Sequence, residues 1–185
     1  MSVYYPQSNC GTSGVIPDYS CSDCPELEFG RVSSFAFIAN TFSFTDPTNS
    51  AEWDVGIASG DIRVVWQTQG SYDGGTTAEN PGFGRQEFSL GSTSHILNFK
   101  DPNYKNNCDF YNSIKYSSSY KGAYVTSSQV HLIDSPITII PKNPVQDDLK
   151  SVVTWDVTIK WAGYDSPCPY DKPDGIFEAC YVPLT

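Results

Sequence analysis

The stretch Ser151–Trp161 alternates without a break. Val153, Trp155, Val157, Ile159 and Trp161 fall on one side, and Thr154, Asp156, Thr158 and Lys160 on the other. Successive side chains of a strand point to opposite faces, so this pattern predicts a half-buried antiparallel strand whose five apolar residues line a core. Other strands must cover that face. The simplest arrangement is a mainly β fold, an antiparallel two-sheet sandwich or rolled barrel.

The surrounding chain supplies candidates. Val32–Ile38 followed by Thr41–Thr45 reads as a strand bent at Asn40, and Asp61–Thr68 as another. Arg85–Leu90 and His95–Phe99 read as a hairpin joined near Gly91-Ser92. Tyr120–Thr126, Gln129–Ile133 and Ile137–Ile140, the last closed by Pro141, complete the set. Two short helices interrupt them. Ala51–Ser59 carries Trp53 and Ile57 on one face, with Asp46-Pro47 or Ser50 to start it and Gly60 to stop it. A second helix runs from an Asn106 or Asn107 cap to about Lys115, with Cys108, Tyr111 and Ile114 inward; Cys108 there reads as a buried small apolar residue. Residues 69–84, rich in glycine, read as a long polar loop.

The two ends differ from this body. Residues 1–30 and 162–185 are broken by proline and show no strand or helix period, so both read as irregular arms flanking a β-rich domain over 31–161. Five of the six cysteines lie there: Cys10, Cys21, Cys24, Cys168 and Cys180. Disulfides among these five are the favoured reading, and a link between the two arms is expected. The alternatives are free thiols, or a four-thiolate zinc site from Cys21, Cys24, Cys168 and Cys180, although the second pair lacks the C-x-x-C knuckle spacing of zinc ribbons. The body is long enough to fold without staples, since a chain of this size buries roughly 70% of its unfolded surface.

Charge narrows the partners. The net charge is −10, and residues 1–30 hold four acids and no Lys or Arg. Nucleic-acid binding and anionic membrane binding both need clustered cations, and neither is expected. No apolar run approaches the roughly 20 residues that span a bilayer. Met1–Cys10 has neither the basic nor the apolar region of a Sec signal, and none is expected.

Catalytic patterns are weak. The two histidines, His95 and His131, fall in predicted strands, and no G-x-S-x-G elbow accompanies them. Glu52/Asp54 open a helix, where carboxylates offset its dipole, and Asp147/Asp148 sit in a polar turn. Ser71–Gly75 matches neither a P-loop nor a dinucleotide fingerprint. The expectation is a non-enzyme that needs no cofactor. Twelve tyrosines fit an interface, and Trp66 with loop tyrosines would suit a glycan-stacking platform.

Five segments also carry a family likeness: Asp46–Ile62 (DPTNSAEWDVGIASGDI), Gly70–Gly75 (GSYDGG), Asn98–Lys115 (NFKDPNYKNNCDFYNSIK), Ile139–Asp148 (IIPKNPVQDD) and Val152–Trp161 (VVTWDVTIKW). Together they resemble small virion structural proteins of tailed bacteriophages that infect Bacteroidetes, including the crAss-like phages. The resemblance implies a many-copy particle component assembled in the host cytoplasm, either a capsid decoration or head-fibre protein or a tail-tube-like subunit. Its partners would be copies of itself and other virion proteins. It transfers no catalytic residues. An extracellular glycan-binding module is the alternative from a different class.

Overall fold

A computed structural model of the chain describes residues 19, 27–28, 30–82, 84, 88–117, 119–145, 147 and 150–178. The fold is mainly β, with two open antiparallel sheets and two helices. In chain order the elements are β1 (Ser34–Ala39), α1 (Ser50–Ser59), β2 (Ile62–Val65), β3 (Gln69–Tyr72), β4 (Thr76–Pro81), β5 (Phe88–Asp101), α2 (Cys108–Ile114), β6 (Tyr120–Val125), β7 (Gln129–Ile133), β8 (Thr138–Lys142), β9 (Trp155–Gly163) and β10 (Pro169–Asp171). The first sheet runs β10-β7-β6-β1-β2. The second runs β3-β5-β9-β8, with β4 also paired to β5. At one corner Val32 and Gly70 exchange backbone hydrogen bonds of 3.0 Å and tie the sheets together.

β9 sits inside the second sheet between β5 and β8. Trp155, Val157, Ile159 and Trp161 are buried against Phe35, Phe37, Leu97 and Phe99. Val153 precedes the strand and is half-buried. A second core lies on the other side of the first sheet, where α1 packs Trp53 against Ala36, Ile38 and Ile62. β1 therefore has both faces covered, which explains its uninterrupted apolar run Phe35-Ala36-Phe37-Ile38.

The helices are short, and their caps differ from expectation. Asn49, rather than Asp46 or Ser50, caps α1 by accepting the Ala51 N–H at 3.1 Å. Asp46 instead accepts from the backbone and hydroxyl of Thr48. Gly60 ends the helix in the left-handed region at φ 89°. In α2 the Asn107 side chain makes no cap bond. Its amide donates to Asp101 and to the Asn103 carbonyl. Tyr111 and Ile114 face inward as expected, but Cys108 is exposed. It is the first residue of a helix of only seven.

Several strand assignments change. Thr41–Thr45, expected to continue the first strand beyond Asn40, is irregular chain, and β1 ends at Ala39. Residues 69–84 contain β3 and β4 rather than only a polar loop. Both hydrogen-bond along one edge of β5, and Asp73-Gly74-Gly75 forms a kink between them. Of the two halves expected to form a hairpin around Gly91-Ser92, residues 88–90 and His95–Phe99 belong to one strand of 14 residues, and residues 85–87 lie outside the described residues. Thr77 faces Thr93 while Glu79 faces Leu90, so the Gly-Ser pair marks a bulge, not a turn. β8 also continues through Pro141 to Lys142. As a sheet edge it tolerates a residue that cannot donate.

The fold takes in much of the C-terminal extension. β10 pairs with β7, and Ile176 and Phe177 are buried in the second core, where the Phe177 ring meets Trp53 edge-on at 5.0 Å.

Candidate functional site

The chain's two histidines meet in one aromatic stack. His95 and Trp161 are cross-strand partners on β5 and β9, and their rings are 4.9 Å apart and nearly parallel. Tyr72 of β3 stacks on Trp161 at 5.4 Å, and its hydroxyl shares a 2.6 Å hydrogen bond with His95 Nδ1. Across the sandwich, Tyr72 approaches Tyr124, which stacks on its own cross-strand partner His131 at 4.5 Å. The Gly-Gly kink makes room for this stack. A Cβ on Gly75 would lie 2.5 Å from His95 Nδ1, and the residue holds φ 85°. Burial raises the Tyr72 phenol above its ordinary value. The Ser166 hydroxyl opposes that shift, and the Asp73 carboxylate adds to it. Burial also pushes the Tyr124 phenol up, with Tyr72 adding to it.

A general base must reach its substrate. His95 has 0% exposed surface. His131 is half-buried, with Nδ1 3.3 Å from the Pro167 carbonyl. The stack thus joins the two sheets.

The other singled-out groups do not converge. Glu52 accepts the backbone N–H groups of Thr45 and Asp46. Asp54 lies on the same helix, and Asp147 is exposed elsewhere. Asp148 lies outside the described residues. So do Cys10, Cys21, Cys24 and Cys180, and with them the expected disulfides, the zinc alternative and the link between arms. Cys108 and Cys168 are free, exposed thiols. Among the described residues no three His, Cys, Asp or Glu side chains are grouped to hold a metal. Trp66 is half-buried beside Asn103, Asn106 and Asn107 at a cleft of about 320 Å³. Tyr72, the tyrosine nearest it in sequence, is drawn into the aromatic stack. Trp66 therefore lacks that partner for a flat sugar-stacking platform.

Buried Asp101 organises the loop before α2. It accepts from the Asn103 backbone at 2.8 Å and from the Tyr111 hydroxyl at 2.8 Å. Burial, reinforced by the Asp101 charge and hydrogen bond, pushes the Tyr111 phenol up. The Trp155 indole donates to the Tyr104 carbonyl of the same loop. Each of these polar groups is consumed in holding the fold.

Two surface features remain. The first is a two-stranded ribbon. β9 stops pairing with β5 at Thr93, so residues 88–92 continue with β4 as their described strand partner. All six residues of β4 are exposed. The second is a cleft of about 580 Å³ on the outer face of the second sheet, where Arg31, Lys100 and Lys142 surround Asp156. Sequence reasoning missed both. The polar positions of β5 and β9 share a face only once their register is known: Asn98 lies opposite Thr158, and Lys100 opposite Asp156.

No known protein-family signature, curated protein sequence or solved structure matches this chain.

Proposed function

We propose that this chain is a non-enzymatic structural component of a bacteriophage virion, a capsid-surface decoration or head-fibre protein that works by self-association and by contact with other virion proteins. The observation that carries this reading is the β4–β5 ribbon. A lone two-stranded hairpin is marginally stable in water, and this one exposes every residue of β4. Such a ribbon gains order when a neighbouring copy covers it. The resemblance of the five segments quoted above motivates the same role, and the virion is its proposed location. A tail-tube-like ring is the second reading, since a ring would need edge-to-edge pairing of sheets. β8 argues against that edge, because Pro141 and Lys142 are residues that discourage strand addition.

The test has two parts. Negative-stain electron microscopy and sedimentation of the purified chain should show a defined oligomer. Replacing Thr77–Ser92 with a short Asn-Gly turn should lower its association while leaving the far-ultraviolet circular dichroism of the sandwich in place. A chain that stays monomeric at every concentration and is missing by mass spectrometry from the phage particles it would build sinks the proposal.

A further inference from the structure

We infer that the cationic cleft on the outer face of the second sheet receives the acidic N-terminal segment, residues 1–27, of a second copy of this chain. The inference rests on the assembly reading above and names the contact that would hold neighbours together.

The charge pattern is the first support. The chain has 11 Lys and Arg against 21 Asp and Glu. Three of those cations, Arg31, Lys100 and Lys142, gather around one cleft with the single carboxylate Asp156 among them. All three are exposed, and none forms an ion pair among the described residues. Asp156 already accepts the Thr154 hydroxyl at 2.9 Å. The cleft is thus a cationic surface on a strongly anionic protein, and an anionic segment of the same protein is its natural complement. Residues 1–27 carry Asp18, Asp23 and Glu26 and no Lys or Arg.

Shape is the second support. The cleft adjoins a further hollow of about 380 Å³ that shares Gln69, Lys100 and Asp156 and is edged by Pro144 and Val152. Val152 is 76% exposed. An occupant that offers apolar residues beside its acids would use both parts. Val15-Ile16-Pro17-Asp18 has that character.

The third support points to a second copy rather than the same chain. Glu28 accepts hydrogen bonds from Ser127 and from the backbone and hydroxyl of Ser128, in the turn between β6 and β7. Going backwards from Arg31, the chain therefore leaves its own cleft and is held on the other sheet. Tyr19 and Leu27, the described apolar residues of the segment, are 88% and 72% exposed, so they find no cover on their own domain. Extended, residues 1–27 would reach on the order of 90 Å, enough to meet a neighbour.

The experiment uses the full chain. Unlabelled and ¹⁵N-labelled protein are mixed, allowed to exchange and treated with a zero-length carbodiimide that joins carboxylates to lysines. Mass spectrometry should find mixed-isotope links from Lys100 or Lys142 to Asp18, Asp23 or Glu26. The triple variant D18N/D23N/E26N should weaken self-association about tenfold at low salt, the sum of several partly exposed ion pairs. That difference should shrink as salt is raised. Links found only within one isotope would place the segment on its own cleft and overturn the inference. An oligomer that gives no such links, and whose association the triple variant leaves unchanged, would overturn it while leaving the assembly reading standing. Binding of an added acidic glycan at the cleft with no such links would also overturn it. A chain that never associates would defeat both readings at once.

Discussion

His95 and Trp161 face each other in register across β5 and β9, with ring planes 9° from parallel. The contact places a fully buried imidazole beside Tyr72, whose hydroxyl is its polar partner. His95 Nε2 has no partner among the described residues, so the Tyr72 bond is the main polar compensation for burying the ring. Removing it should expose a real coupling. Tyr72→Phe is expected to cost about 1–3 kcal/mol, the penalty for stranding a buried polar atom. In a double-mutant cycle with His95→Leu, the two sites should couple by about 0.5–3 kcal/mol. Urea denaturation of the four proteins measures this, and additive effects would mean that ring packing alone matters.

Trp155 anchors the opposite end of β9. It is buried, packs against the tilted Tyr111 ring at 4.9 Å and donates its indole N–H to the Tyr104 carbonyl. Trp155→Ala should cost about 3–5 kcal/mol. Thermal unfolding checks it, and a variant that melts with the parent would contradict the core position of this side chain.

Gly70 and Gly74 should respond to substitution in opposite ways. A Cβ on Gly70 would lie 2.5 Å from the Asn98 carbonyl oxygen and 2.7 Å from Phe99 Cβ, at the corner where Val32 ties the sheets. Gly70→Ala should destabilise by about 1–3 kcal/mol through overpacking. Gly74 has open space around it and a φ of 80°. Asn tolerates the left-handed region, so Gly74→Asn should be mild where Gly70→Asn is severe. Midpoints of urea unfolding for the three variants give the comparison.

Glu28 gives a pH dependence with a definite sign. Hydrogen bonds from the Ser128 side chain first, then from Thr126 and the Ser128 backbone, lower its pKa from 4.5 to about 2. A depressed carboxylate stabilises the state in which it is ionised. The tether to the β6–β7 turn should therefore be intact above about pH 4.5 and lost as pH falls through about 2. The Ser128 amide resonance should titrate with that low midpoint, and Glu28→Gln should speed its hydrogen exchange at neutral pH. A midpoint at the ordinary glutamate value would show that the tether does not form. Glu28 is exposed, so its effect on global stability should be small.

What the sequence determined by itself was whatever depends on period. The alternation from Val153 to Trp161 specifies a strand with one buried face, and β9 is that strand from Trp155 onward, with Ser151–Thr154 outside it. The spacing of Trp53 and the placement of Gly60 specify the face and the end of α1. A mainly β fold with two short helices follows from such signals, because they are local. The tertiary structure decided everything that depends on pairing. β4 has no buried face, so Thr76–Pro81 carries no alternation, and only its hydrogen bonds to β5 make it a strand. Gly91-Ser92 looks like a turn until the register of its neighbour shows a bulge. Cys108 has the spacing of an inner-face residue, yet it is exposed at the start of α2. His95 and His131 are 36 positions apart in sequence and meet in one stack because Tyr72 and Tyr124 bridge the sheets. Arg31, Lys100 and Lys142 come from three distant segments, and their cleft exists only after two strands and an edge have taken their places. Side-chain period is a property of neighbours along the chain, whereas register and burial are set by which segments find each other in space.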